Sequence, residues 1–280
     1  MTMGAHGFRA LIRVSLLALT GVLGGIACRP ALAGEDCLLV VELKSARMVT
    51  EQGRCDSRHS PASTFKVALS LMGFDAGVLK SPHDPVWITQ PELARGPETW
   101  NGPQDPQSWM RHSVVWYSQL LTRQMGMERL RAYVHGFSYG NEDLAGDPGR
   151  DNGLTRAWLS SSLRISPREQ VEVLRRMLKG ELPVSPDAVD QTIALMKVPE
   201  RPAGWDLFGK TGTGSLPLSD GTPDQQRPFG WFVGFAQKEG RAFVFAHFIA
   251  LDQVSPEPLG PVARRQAVAA LESILNAQER

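Results

Sequence analysis

Pro61-Ala62-Ser63-Thr64-Phe65-Lys66-Val67-Ala68-Leu69 sets a hydroxyl and an amine three residues apart at the head of an apolar run. Apolar residues continue at helical spacing from Ala62 to Gly77, which predicts a helix with Ser63 in its first turn and Gly77 near its end. Side chains three residues apart on a helix share one face, a single turn apart. Ser63 and Lys66 therefore present a nucleophile with a base beside it. Alone the pattern is weak, because a Ser-x-x-Lys arises by chance about once in a protein of this size.

Two further segments add weight. Lys210-Thr211-Gly212 follows a strand-like stretch, Trp205 to Gly209. Its cation and hydroxyl can sit at a sheet edge, while Gly212 lets a ligand approach the backbone. Ser113-Val114-Val115 opens a helical region and can lend a second hydroxyl to the same cleft.

Upstream of the nucleophile, Leu38 to Glu42 and Met48 to Gln52 read as antiparallel strands about a turn at Lys44 to Arg47. A hairpin centred near Ala46 sets Cys37 opposite Cys55, and a cross-hairpin disulfide is expected. Residues 1–33 contain no acid, carry Arg9 and Arg13 ahead of the apolar Val14 to Ala27, and end in Ala31-Leu32-Ala33. That is the pattern of a signal peptide cut before Gly34, so the mature chain is expected to be periplasmic or secreted, where disulfides persist. Two alternatives stand beside it. A retained anchor would need a longer span than this one, which Gly21, Gly24 and Gly25 interrupt. Lipidation at Cys28 would use Gly25-Ile26-Ala27-Cys28, which resembles a lipoprotein box without its leucine.

Downstream, Lys80 to Gln107 is rich in proline and reads as a long irregular connection, followed by one or two helices between Ser113 and Phe137. Ser166-Pro167-Arg168-Glu169 is a capping box opening a helix to about Gly180, and Ser185-Pro186 opens another. Strands follow at Trp205 to Lys210, Gly230 to Ala236 and Ala242 to Leu251, then an amphipathic helix from Gly260 to Ala277. The order implies an α+β fold: an antiparallel sheet flanked by N- and C-terminal helices, with an all-helical subdomain at roughly 80–195 inserted into a single domain, 34–280.

Of the 280 residues, 42% are hydrophobic and 21% charged, enough for a sizeable core. Loss of Arg9, Arg13 and Arg29 with the leader takes the formal charge from +1 to −2, which leaves no basic face for nucleic acid. None of the six histidines has the spacing of a zinc site.

Ser63-Thr64-Phe65-Lys66, Ser113-Val114-Val115, Tyr139-Gly140-Asn141, Trp158-Leu159 and Lys210-Thr211-Gly212, in that order, resemble the class D (oxacillinase-type) serine β-lactamases of the penicillin-binding protein superfamily. The resemblance spans Cys37 to the C-terminal helix. It implies hydrolysis of penicillins, with cephalosporins as further substrates, through an acyl-Ser63 intermediate, and hence β-lactam resistance. A lysine of ordinary pKa, about 10.4, is protonated at neutrality and useless as a base, so Lys66 must be desolvated. In this family the matching lysine is carboxylated by carbon dioxide, which implies a carbamate on Lys66 as general base and no metal.

By the same resemblance Trp158 holds the carbamate through its indole donor, and the apolar Val115 keeps water from it. Ser113 carries the proton to the leaving nitrogen under the influence of Lys210. The amides of Ser63 and Thr213 form an oxyanion hole. Thr211 and Arg265, or the adjacent Arg264, take the substrate carboxylate, and Trp100 lines the cleft rim. The implied partners are small-molecule β-lactams, with no stable membrane association once the signal is removed. A β-lactam sensor that is acylated without turnover and a D,D-peptidase share these motifs. Ser160-Ser161-Ser162 is unusually polar beside Trp158-Leu159, a departure that bears on substrate range.

Overall fold

Branched and aromatic residues at both ends of the chain meet in one five-stranded antiparallel sheet. In sequence its strands are β1 (Asp36–Glu42), β2 (Met48–Gly53), β5 (Asp206–Pro217), β6 (Pro223–Lys238) and β7 (Arg241–Ala250), and in space they run β2-β1-β7-β6-β5. A small ribbon, β3 (Trp87–Ile88) with β4 (Pro103–Gln104), lies outside it. The computed structural model describes residues 1–2, 35–89 and 96–279, so the expected signal segment, 1–33, falls outside the described residues beyond its first two.

Between β2 and β5 the chain is helical: α1 (Phe65–Asp75), α2 (Pro106–His112), α3 (Val115–Met125), α4 (Met127–Gly136), α5 (Gly153–Arg156), α6 (Pro167–Leu178) and α7 (Pro186–Met196). The last element is α8 (Leu259–Gln278). One face of the sheet buries Trp231, Val233, Phe235 and Phe248 with Phe65, Leu69 and Val171. The other buries Phe232, Phe243 and Phe245 under α8, whose Leu259, Ala263, Ala267, Leu271 and Leu275 recur every fourth residue as one apolar stripe. The α+β arrangement expected from the sequence is the one observed.

Three local readings need correction. The helix expected from Ala62 opens as a 3₁₀ turn, Ala62–Thr64, so Ser63 precedes the α-helix and only Lys66 lies in its first turn. β1 and β2 pair Cys37 with Gly53 rather than Cys55, because the hairpin turns about residue 45 rather than Ala46. The Cys37–Cys55 bond forms all the same, with Cα atoms 5.1 Å apart, as the chain beyond Gly53 stays beside β1 through Arg54 N–H donating to Asp36 O. The third concerns Lys210-Thr211-Gly212, which lies within β5 rather than after it. The capping box at Ser166 is as read: its hydroxyl accepts from Glu169 N–H while the Glu169 carboxylate accepts from Ser166 N–H.

Candidate active site

Ser63 and Lys66 are brought together by the junction of the 3₁₀ turn with α1. Lys66 Nζ lies 3.2 Å from Ser63 Oγ, the serine half-buried and the lysine 0% exposed. Burial, and then the charge of Lys210, hold the Lys66 pKa well below that of an ordinary lysine. A fully buried ammonium would have lost its hydration without a carboxylate to replace it, so the neutral amine is favoured.

The turn itself is pinned from below. Thr64 Oγ1 donates to Pro61 O at 2.7 Å and accepts from Gln170 Nε2 on α6 at 2.8 Å, all within the core. Phe65 packs its ring on Tyr139 and Trp158, with centroids 5.1 and 5.5 Å away. Gln170 was not legible as a site residue, since only the fold carries its amide to a threonine 106 residues away.

β5 brings Lys210-Thr211-Gly212 to the same turn. A Cβ on Gly212 would lie 2.9 Å from Pro61 O and 3.3 Å from Thr64 N, so the bare glycine backbone is what allows the approach. Lys210 is 5% exposed and donates to Thr211 O at 3.1 Å. Burial, with the charge of Arg264 next in weight, pushes its pKa down to about 7.

β5 is also the edge of the sheet, and its backbone groups alternate between β6 and the open side. Leu207 O on that open side accepts from Val198 N–H, and Ser215 N–H donates to Ser160 Oγ. Thr213 has the same parity in an unbroken register, so its amide points off the edge as well.

Trp158 is fully buried, and its indole N–H has no hydrogen-bond partner among the described residues. Leaving such a donor unpaired costs about 1–3 kcal/mol, so an acceptor placed beside it would be stabilised. The turn Tyr139-Gly140-Asn141 supports the Trp158 loop. Asn141 N–H donates to Arg164 O, its Nδ2 donates to Ser162 O, and its Oδ1 accepts from Arg164 N–H. Gly140 is left-handed there, and a Cβ would collide with Arg164 O.

Ser113 closes α2 in a left-handed conformation immediately ahead of Val114 and the half-buried Val115, the first residue of α3. Trp100 donates its indole N–H to His112 O at 2.9 Å, which ties the rim tryptophan to the residue before Ser113. Arg265 is not held in the cleft by any bond. Its side chain is 60% exposed and paired with Glu257, whereas Arg264 pairs with Glu200 and lies over the Phe232 ring. Thr213 Oγ1 instead accepts from Gly260 N–H at the head of α8. Among the described residues no three His, Cys, Asp or Glu side chains come together as metal ligands would, and no helix is long and apolar enough to cross a membrane.

Comparison with known proteins agrees with this geometry. Residues 39–269 match the penicillin binding protein transpeptidase domain. The chain is 41% identical over 240 residues to β-lactamase OXA-9 of Klebsiella pneumoniae, covering 85% of this chain and 88% of that one. The solved class D β-lactamase OXA-427 superposes with a TM-score of 0.80 at 40% identity, over 86% of this chain and 99% of that structure. The C-terminal domain of the Bacillus licheniformis BlaR penicillin receptor also superposes, with a TM-score of 0.73 at 28% identity over 85% of this chain and 89% of that domain. The chain belongs to the penicillin binding protein transpeptidase-domain family and, within it, to the class D β-lactamases.

Proposed function

We propose that this chain hydrolyses penicillins, with cephalosporins as further substrates, through an ester on Ser63, and that Lys66 carries carbon dioxide as a carbamate when active. The observation that carries the reading is the fully buried Lys66 amine 3.2 Å from Ser63 Oγ. The unpartnered Trp158 indole N–H is a fitting hold for the added group. A carbamate at Nζ supplies an anionic base for removing protons in a dry site.

Ser63 Oγ loses its proton toward the Lys66 side chain as it attacks the lactam carbonyl. The negative charge on that oxygen is received by the amides of Ser63 and Thr213, the second of which points off the open edge of β5. The ring C–N bond breaks, and Ser113 passes a proton to the nitrogen, with Lys210 setting the local potential. Water then adds to the ester carbonyl and Ser63 Oγ leaves with a proton. Thr211 and Lys210 receive the substrate carboxylate, Gly212 gives it room, and Trp100 walls the rim. Arg265 would have to leave Glu257 to assist, and Arg264 acts from behind through the charge it places near Lys210. Val115 keeps the Lys66 end of the cleft apolar. Export by loss of residues 1–33 places the activity where it meets the drug before the cell-wall enzymes do.

The likeness to the BlaR receptor domain favours a second reading, a sensor that is acylated and stays so. Nitrocefin turnover separates the two. Sustained hydrolysis, lost in Ser63→Ala and restored by bicarbonate after degassing at low pH, is expected of the carboxylated enzyme. A burst of one product per chain followed by silence would instead make it a sensor, and turnover indifferent to bicarbonate would remove the carbamate.

A further inference from the structure

The polar tract Ser160-Ser161-Ser162 has no part in the chemistry above, yet Ser160 bonds to two segments that do and lies two residues from a third, Trp158. Its N–H donates to Ser60 Oγ at 2.9 Å, and Ser60 Oγ donates in turn to Trp158 O at 2.8 Å. Its own Oγ accepts from Ser215 N–H on β5 at 3.1 Å. Ser60 precedes Ser63 by three residues and is fixed from the sheet, where Trp231 Nε1 donates to Ser60 O at 3.0 Å. Ser215 follows Thr213 by two residues on the same edge.

Ser160 holds this arrangement at φ +53°, a left-handed conformation that disfavours an L side chain by about 1–2 kcal/mol. The neighbouring strand leaves it space: a Cβ on Gly214 would come within 2.6 Å of Ser160 Oγ. Ser162 is used elsewhere, since its Oγ donates to Asp143 O and accepts from Gly146 N–H.

We propose that Ser160 is a positioning residue that clamps β5 to the nucleophile turn and to the Trp158 loop, and so sets the distance from the Thr213 amide to Ser63. An edge strand has no partner on its outer side to hold it in place. Along its outer side β5 is fixed toward its start by Val198 N–H on Leu207 O and toward its end by Ser160, while Gly260 N–H holds only the Thr213 hydroxyl. Freed of the second tether, the Thr213 amide drifts relative to the carbonyl it must meet, and oxyanion stabilisation depends on donors already in place. The inference rests on the roles proposed above for Ser63 and Thr213.

Ser160→Ala removes the acceptor and keeps the backbone cost, whereas Ser160→Gly removes both and folds more readily. Pre-steady-state acylation by a penicillin is measured per active site, with the sites counted by titration so that unfolded protein does not enter. Both variants are expected to acylate about 10–100-fold more slowly, short of the 10²–10³ for outright loss of an oxyanion donor. The substrate dissociation constant stays within about threefold, because the clamp acts on the transition state. A boronic acid whose bound oxygen fills the oxyanion position loses affinity by the same factor as acylation, an effect that a purely structural role would not produce.

Acylation within threefold of wild type in both variants overturns the proposal, and so does a slow Ala variant beside a normal Gly variant, which would assign the effect to the backbone. Failure of the underlying reading looks different: Ser63→Ala would keep hydrolysing, or the wild-type protein would not bind the boronate.

Discussion

Gly212 and Pro61 are so close that a single methyl group would press on the turn bearing the nucleophile: a Cβ at 212 would sit 2.9 Å from Pro61 O. Both sides of the contact are backbone, so neither can swing aside. Gly212→Ala is expected to push β5 off the turn and to lower kcat/KM for a penicillin by about 10–100-fold through misplacement alone. The melting temperature should fall by only about 2 °C if the strain is near 1 kcal/mol. Steady-state kinetics beside a thermal melt test this, and unchanged kinetics would show that the contact relaxes freely.

Lys210, with a pKa near 7, is a cation below neutrality and an amine above it. If the cation receives the substrate carboxylate, kcat/KM for a penicillin falls as pH rises through that value, since this ratio reports the free enzyme. Arg264 depresses the Lys210 pKa by like charge. Arg264→Gln should therefore favour the cation and carry the alkaline limb to higher pH. A limb that stays in place or moves down in a full pH profile contradicts the assignment.

Lys66 makes a prediction about stability. Its folded pKa is lowered, so between that value and about 10.4 the unfolded chain binds a proton that the native chain does not. Stability must then rise with pH across that window, and the neutral buried amine is a burden at pH 7 that fades toward pH 10. Lys66→Met is expected to be inactive yet more stable than wild type at pH 7 in carbonate-free buffer, with the gap closing by pH 10. Denaturant midpoints at the two pH values measure it, and a gap that widens with pH would mean the amine is charged in the fold.

What could be read without coordinates was what short spacing determines. Ser63 with Lys66, the capping box at Ser166 and the apolar stripe of α8 each lie within a few turns of one helix. Contacts made by tertiary folding were out of reach. Gln170 meets Thr64 across 106 residues, and Ser160 meets Ser215 across 55. Arg265 shows the weakness of placing a side chain by motif: it lies beyond the first turn of α8, and its nearest acid, Glu257, holds it among solvent-facing groups. The hairpin arithmetic for Cys37 and Cys55 named the right pair for an incomplete reason, because the turn centres near residue 45 rather than Ala46 and Cys55 meets Cys37 from just beyond the end of β2.

The outer side of β5 is bonded at Leu207 by Val198 and at Ser215 by Ser160, with Thr211 and Thr213 between them. Long bare edges invite another chain to add a strand and begin an aggregate. Here a visiting polypeptide would run into the Val198 segment in one direction and the serine loop in the other. The same two tethers that bracket the stretch beside the nucleophile turn thereby shorten the edge with which another chain could pair.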